Sequence, residues 1–213
     1  VIRMHVEPHS LQWQDAYKLM IGSIVPRPIA FVSTIDEHGI ANLAPFSFFT
    51  AICADPMMVC FAPMRRGTDG AIKDTLANIQ HNQEFVINIV SEPITAQMND
   101  TAIEFNPEVD EFEVVGLSKV SSTIVKPPRV AECAIQLECV LEQILDYGSH
   151  PGSGSLVIGR VVLIHMNEEV YKDGKIDMSK LAPIGRMAGN VFTRAAADTF
   201  TLERKKFPDE LRR

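Results

Sequence analysis

The chain has 213 residues, 46% hydrophobic and 22% charged, the mix of a folded protein rather than a disordered one. At roughly 150 residues per domain the length fits one domain spanning 1–213, with a core at about residues 10–195 and a charged C-terminal tail. Twenty Lys and Arg against 27 Asp and Glu leave a net charge of −7, which argues against nucleic acid, whose partners place cations against phosphates.

Ser10 followed by LQWQDAYKLM predicts a capped short helix, with Leu11, Ala16, Leu19 and Met20 on one face. PRPIAFVSTI (26–35) is β-rich and ends in the turn cluster Asp36-Glu37-His38-Gly39. IANLAPFSFFTAI (40–52) follows as the second arm of a hairpin, and MMVCFA (57–62) as a buried strand. Residues 64–82 open with glycines and charges, then place Ile72, Leu76 and Ile79 at helical spacing. FVINIV (85–90) predicts another strand, ITAQMNDTAIEF (94–105) a helix, and 106–119 an acidic irregular stretch.

VAECAIQLECVLEQI (130–144) alternates with period two, which predicts a strand with Cys133 and Cys139 inward on one face. A Gly/Ser loop (148–155) joins it to LVIGRVVLIHM, and Asp173-Gly174 marks a tight hairpin. That apolar run is broken by Gly159 and Arg160, so no membrane-spanning helix is expected. The first residues show no basic-then-apolar secretory pattern, and the four cysteines form no CxxC pair. Buried thiols in a reducing compartment, with a cytoplasmic location, are the expectation. Strand follows strand more often than helix, which predicts a mainly β antiparallel barrel or sandwich with added helices.

The usual catalytic signatures HExxH, GxSxG and GxxxxGK[ST] are absent, and the six histidines show no metal-ligand spacing, so no metal is expected. Two stretches carry chemistry. Arg66, Lys73, Asp74 and Thr75 lie just ahead of a helix, with Asp74 as its cap, and would hold an anion at the helix N-terminus; a solvated loop with an ordinary cap is the alternative. Asn42, Ala44, Pro45, Phe46 and Ser47 alternate polar and apolar groups, as the wall beside a flat amphipathic ring requires; a Phe-rich core strand is the alternative.

With PRPIAFVST, NLAPFSFF, Asp55-Pro56, KDTLANI, EFVINIV, LVIGRVV and PIGRMAGNVFTR in that order, the chain resembles the flavin reductase-like, or flavoredoxin-like, group of FMN-binding split-barrel proteins. The resemblance implies a split β-barrel, a Greek key of about six strands with added helices. It also implies a homodimer with FMN near the interface, and hydride transfer from NADH or NADPH through the flavin N5. An FMN electron carrier that docks a redox partner is the alternative function, and a split barrel holding haem or a pyridoxal phosphate compound a third. By position in the motifs, Arg27, Arg66, Lys73 and Thr75 match the phosphate side. Asn42, Ala44, Pro45, Phe46 and Ser47 match the ring wall, and His150, Arg186, Gly189 and Asn190 match segments near the flavin or an outer substrate pocket. The motif departs from the family at Met187-Ala188-Gly189, where a second Gly is common, and at Phe192, where Tyr is usual.

Overall fold

The structure, a computed structural model, describes residues 3–203. Its centre is a seven-stranded antiparallel sheet. The strands are β1 (Ala30–Ile35), β2 (Ala41–Phe46), β3 (Phe49–Ala54), β4 (Met57–Phe61) and β5 (Glu84–Ile89). After two short strands, β6 (Lys119–Val120) and β7 (Arg129–Val130), come the long pair β8 (Ile135–Tyr147) and β9 (Gly154–Met166). The sheet order is β2-β1-β5-β8-β9-β4-β3.

This order forces curvature. In a flat sheet β2 and β3, at opposite edges, would lie roughly 29 Å apart, at about 4.8 Å per strand. Yet only Ser47 and Phe48 link them, a connection that spans at most about 11 Å. The sheet therefore rolls up until its edges meet at that corner, giving the split β-barrel. The count is one strand above the expected six, because the predicted single strand 40–52 breaks at Ser47-Phe48 into β2 and β3.

The barrel has an inner and an outer apolar surface. Ala30, Val32, Phe46, Phe61, Phe85, Ile87, Cys139 and Val157 fill the interior with Leu76 and Ile79 from α2 (Asp74–Asn82). Phe46, Phe61 and Phe85 pack in series, tilted and then edge to face, with centroids 5.1 and 5.6 Å apart. Gly159 belongs here because a Cβ would lie 2.3 Å from the Phe85 ring. On the outer surface Ile29, Phe31 and Leu43 meet Met98 of α3 (Thr95–Asp100) and Phe112 of α4 (Glu111–Val115). Strand β1 is thus covered on both sides, which explains the continuous apolar run in its sequence.

Several expectations need correction. Ser10 closes a 3₁₀ turn and does not cap the first helix, α1 (Trp13–Ser23), which starts after Gln12. Leu19 and Met20 face outward, and Ile21 is the buried contact of α1. The stretch 106–119 contains α4, capped by the Asp110 carboxylate, which accepts from the Phe112 N–H at 3.0 Å. Conversely, the predicted helix 94–105 is helical only to Asp100 after a 3₁₀ turn. Cys133 precedes β8 and packs in the outer cluster, whereas Cys139 lies inside the barrel. Strand β8 also does not keep one parity. Leu137, Cys139 and Leu141 turn inward, then a register shift between Leu141 and Gln143 brings Ile144 to the interior cluster. The remaining elements are the hairpin β10–β11 (Tyr171–Lys172, Lys175–Ile176), α5 (Met178–Leu181), and β12 (Ile184–Arg186) paired with β13 (Phe192–Arg194). Part of the predicted charged tail lies outside the described residues.

Glu138 breaks the alternation most sharply. It sits at a position predicted polar and exposed, yet it is fully buried. Its carboxylate accepts the N–H groups of Thr123, Ile124 and Val125 at 2.7, 2.6 and 3.0 Å, and meets His165 Nε2 at 2.5 Å. Burial alone would raise its pKa, but the three N–H donors and His165 outweigh that and hold it at about 2. A depressed folded-state pKa adds stability above the ordinary carboxylate value, and that stability is lost as pH falls from about 4.5 towards 2. The span corresponds to roughly 3 kcal/mol. In Glu138→Gln the amide NH₂ faces donors, so urea midpoints should fall at pH 7 and the acid dependence between pH 4.5 and 2 should flatten. An unchanged acid limb would assign that stability to other carboxylates.

Candidate functional site

A cleft of about 90 Å³ opens where β2, α2 and the segment after α3 meet. Asn42, Ala44, Pro45 and Phe46 form one wall, with Arg66, Lys73, Asp74 and Thr75 at one end and Thr101–Phe105 opposite. Strand β2 is a sheet edge, so alternate backbone groups point out of the sheet. The Leu43 N–H is one of them and donates to the Glu111 carboxylate at 2.9 Å. Two residues on, Pro45 has no N–H to leave unpaired, which suits an edge facing a ligand.

The polar side of this wall is a fixed network. Glu111 Oε1 accepts from Asn42 Nδ2 at 2.8 Å, and this sets the orientation of the amide. Asn42 Oδ1 then accepts from the Thr75 hydroxyl at 2.7 Å. Glu111 is 5% exposed, and burial pushes its carboxyl pKa up while the Leu43 N–H and Asn42 pull it down. Sequence reasoning missed Glu111, which lies in the stretch read as irregular. An acidic residue just after an Asp N-cap was the signal available.

The anion end is built differently from the expectation. Lys73 occupies the N-cap position of α2, and Asp74 makes no cap bond. Instead Asp74 Oδ1 accepts from Arg66 Nη2 at 3.3 Å and orients that guanidinium. The Thr75 hydroxyl hydrogen is spent on Asn42, so it has none to give a phosphate. The backbone N–H groups of Asp74 and Thr75, on the open first turn, have no partner among the described residues. Arg66, Lys73 and these two N–H groups thus line one end of the cleft at a helix N-terminus, an arrangement that could hold an anion.

A second cleft adjoins the first across Pro45 and Ala102 and is lined by Tyr17, Ser47, Asn99, Arg186 and Phe192. Arg27 does not line either cleft. It is 4% exposed, and its Nη1 donates to the carbonyls of Ile21 and Ile24, both at 2.7 Å. Its Nη2 donates to Met187 O at 2.9 Å, and Nε to Ser47 Oγ at 3.3 Å. The structure therefore uses Arg27 as a brace between α1, the β2–β3 corner and the β12–β13 turn, outside both clefts. His150 turns back into its own loop, where its ring Nδ1 lies 3.0 Å from Pro151 O. Gly189 and Asn190 are exposed; the Gly189 carbonyl accepts from Arg186, and neither residue lines the clefts. So Asn42, Ala44, Pro45, Phe46, Arg66, Lys73, Asp74 and Thr75 come together, Ser47 and Arg186 line the adjoining cleft, and Arg27, His150, Gly189 and Asn190 stand apart.

Residues 21–180 match the family model of the flavin reductase like domain, a range that holds β1 to β11 and Arg66, Lys73, Asp74 and Thr75. The chain belongs to the flavin reductase-like family. Nitrilotriacetate monooxygenase component B from Bacillus cereus is 35% identical, with a TM-score of 0.89 over 95% of this chain and all of that one (100%). The 2-nitrobenzoate 2-nitroreductase of Pseudomonas fluorescens is 30% identical, with a TM-score of 0.84 over 96% of this chain and 98% of its own. A Shewanella frigidimarina protein with a split barrel domain shares the fold at 20% identity and TM-score 0.78, over 97% of this chain and 100% of that one. The fold, the family and the edge-strand cleft thus agree with the flavin-binding class. Among the described residues no group of His, Cys, Asp and Glu could hold a metal ion, and no helix is long and apolar enough to cross a membrane.

Proposed function

We propose that the chain is an FMN-dependent oxidoreductase that accepts hydride from NADH or NADPH. The observation that carries this reading is the pairing of an edge strand presenting Ala44 and Pro45 with cations and free N–H groups beside it, in a chain of the flavin reductase-like family. The fit to FMN is concrete. One phosphate needs a few convergent donors, and Arg66, Lys73 and the free N–H groups of Asp74 and Thr75 supply them. Ala44 and Pro45 supply an apolar wall for a planar ring, with Phe46 packed behind them in the barrel, and Asn42 is held in one orientation at its edge. Bound FMN would supply the hydride chemistry at its N5, so no nucleophile or general base is required of the chain. The protein's part is to hold the phosphate, exclude water from the ring face and fix the polar edge. The described similarities to a monooxygenase component and a nitroreductase support a redox role.

Two further parts of the reading follow from exposed surface and thiols. Strand β3 is a sheet edge whose residues Thr50–Ala54 are exposed, with Ile52 at 49% and Met57 beside it at 43%. An uncovered apolar edge favours pairing, and a second copy of the chain, giving a homodimer, is the occupant proposed. All four cysteines are free thiols, which suits a reducing compartment such as the cytoplasm.

The test is spectral. Purified protein mixed with FMN and passed through a desalting column should stay yellow, and anaerobic NADH or NADPH should bleach it. Colourless protein after desalting would sink the flavin reading. A yellow protein that neither nucleotide bleaches, but dithionite does, would favour the electron-carrier alternative, with a docked redox protein as its reductant.

A further inference from the structure

Arg186 is a cation without an anion. Its guanidinium lies over the Phe192 ring, 4.4 Å from the centroid, and Nη2 donates to the Gly189 carbonyl at 2.6 Å. These contacts fix the side chain and leave other N–H groups unused. Among the described residues Arg186 makes no ion pair, in a chain whose net charge is −7. Behind it stands the buried Arg27, tied to Arg186 by reciprocal backbone bonds of 2.9 and 2.8 Å and to Ser47 through Nε. Burial lowers the Arg27 pKa; Tyr17 opposes this and the neighbouring Arg186 charge adds to it. Arg186 alone lines the cleft, and the buried Arg27 charge behind it adds to the positive potential there.

The rest of the cleft defines what kind of anion fits. Its walls are Ile29, Pro45 and Met98, with Tyr17, Ser47 and Asn99 as polar points. The space is about 220 Å³, below the roughly 300–1,000 Å³ of drug-sized sites, so it suits a small ligand. A phosphate dianion wants the many donors found in the first cleft. One guanidinium fork over apolar walls suits a planar monoanion with an apolar body. We propose that this second cleft binds a small aryl carboxylate, its carboxylate on Arg186 and its ring against Pro45 and Ile29. Pro45 and Ala102 line both clefts, so such a ligand would sit beside the ring wall as substrate or acceptor. That last clause rests on the flavin reading; the binding itself does not.

Calorimetric titration of the full chain with benzoate, benzamide and inorganic phosphate tests the site, first without flavin. Benzoate should bind with a Kd on the order of millimolar or tighter, and neutral benzamide at least about tenfold more weakly. Arg186→Met should weaken benzoate at least about tenfold, while Lys73→Glu, in the other cleft, should leave it unchanged. Equal binding of benzamide, full benzoate affinity in Arg186→Met, or displacement of benzoate by equimolar phosphate would each overturn the proposal. If Arg186→Met does not fold, the benzoate-to-benzamide ratio on the unaltered protein decides alone. An FMN titration on the same samples separates the two readings. Benzoate binding without FMN binding removes the flavin reading and keeps this one, and FMN binding without benzoate selectivity does the reverse.

Discussion

Lys73→Glu will weaken FMN binding by at least about 100-fold and leave riboflavin binding within about twofold. Lys73 sits at the N-cap of α2, on the same side of the cleft as Arg66 and the free N–H groups of Asp74 and Thr75. Charge reversal replaces an attraction with a repulsion at the position offered to the phosphate dianion. It also sets a carboxylate beside Asp74, which weakens the pairing of that residue with Arg66. Riboflavin lacks the phosphate, so it reports the ring wall alone. Fluorescence titration with both flavins checks the split. A parallel loss for both would mean that the substitution damaged the wall or the fold, and an unchanged FMN affinity would place the phosphate elsewhere. Raising the salt concentration should weaken FMN more than riboflavin in the unaltered protein, because that end of the cleft is partly open to solvent. Thr75→Val, in contrast, should leave FMN affinity near its starting value, since its hydroxyl hydrogen already belongs to Asn42.

Arg27→Met should destabilise the chain by about 3 kcal/mol or more, a fall of roughly 6–12 °C in Tm for a protein of this size. Four acceptors depend on this guanidinium: the carbonyls of Ile21, Ile24 and Met187, and Ser47 Oγ. Removing it leaves those groups without their donor in a region where Arg27 itself is 4% exposed. Arg27→Lys should recover only part of the loss, because an ammonium has three donors on a single point and cannot bridge acceptors on three separate segments. Scanning calorimetry of the three proteins reads this directly. Arg27→Met with an unchanged Tm would show that water replaces the brace at no cost.

The split between sequence and structure is clearest in strand β8. Its apolar alternation was visible, and the strand is there. The reversal of parity after Leu141 was not, because a bulge depends on the register of β9 across the sheet. Glu138 is the same case. Its burial is tolerable only because the 123–125 backbone and His165 converge on it from other parts of the chain. The helix α4 was hidden for a different reason: five residues carry too little periodicity to stand out from an acidic background.

The candidate site divides along similar lines. Residues close together in the chain were legible: the run Arg66–Thr75 and the run Asn42–Ser47 both reach the clefts, and the turn residues of the β10–β11 hairpin behave as their types demand. Arg27, His150, Gly189 and Asn190 stand outside the two clefts, since a motif marks a place in the chain and not the direction a side chain takes.

By itself the sequence determined the mainly β character, the order of the main elements and the two segments that line the clefts, because period, turn residues and local charge are properties of neighbours in the chain. Only the tertiary structure decided that the sheet closes at Ser47-Phe48, that Glu111 fixes Asn42, and that Arg27 is spent inside the fold. Those outcomes depend on which distant donors and acceptors meet once water is excluded, and hydrogen bonds of that kind leave no periodic trace in the sequence.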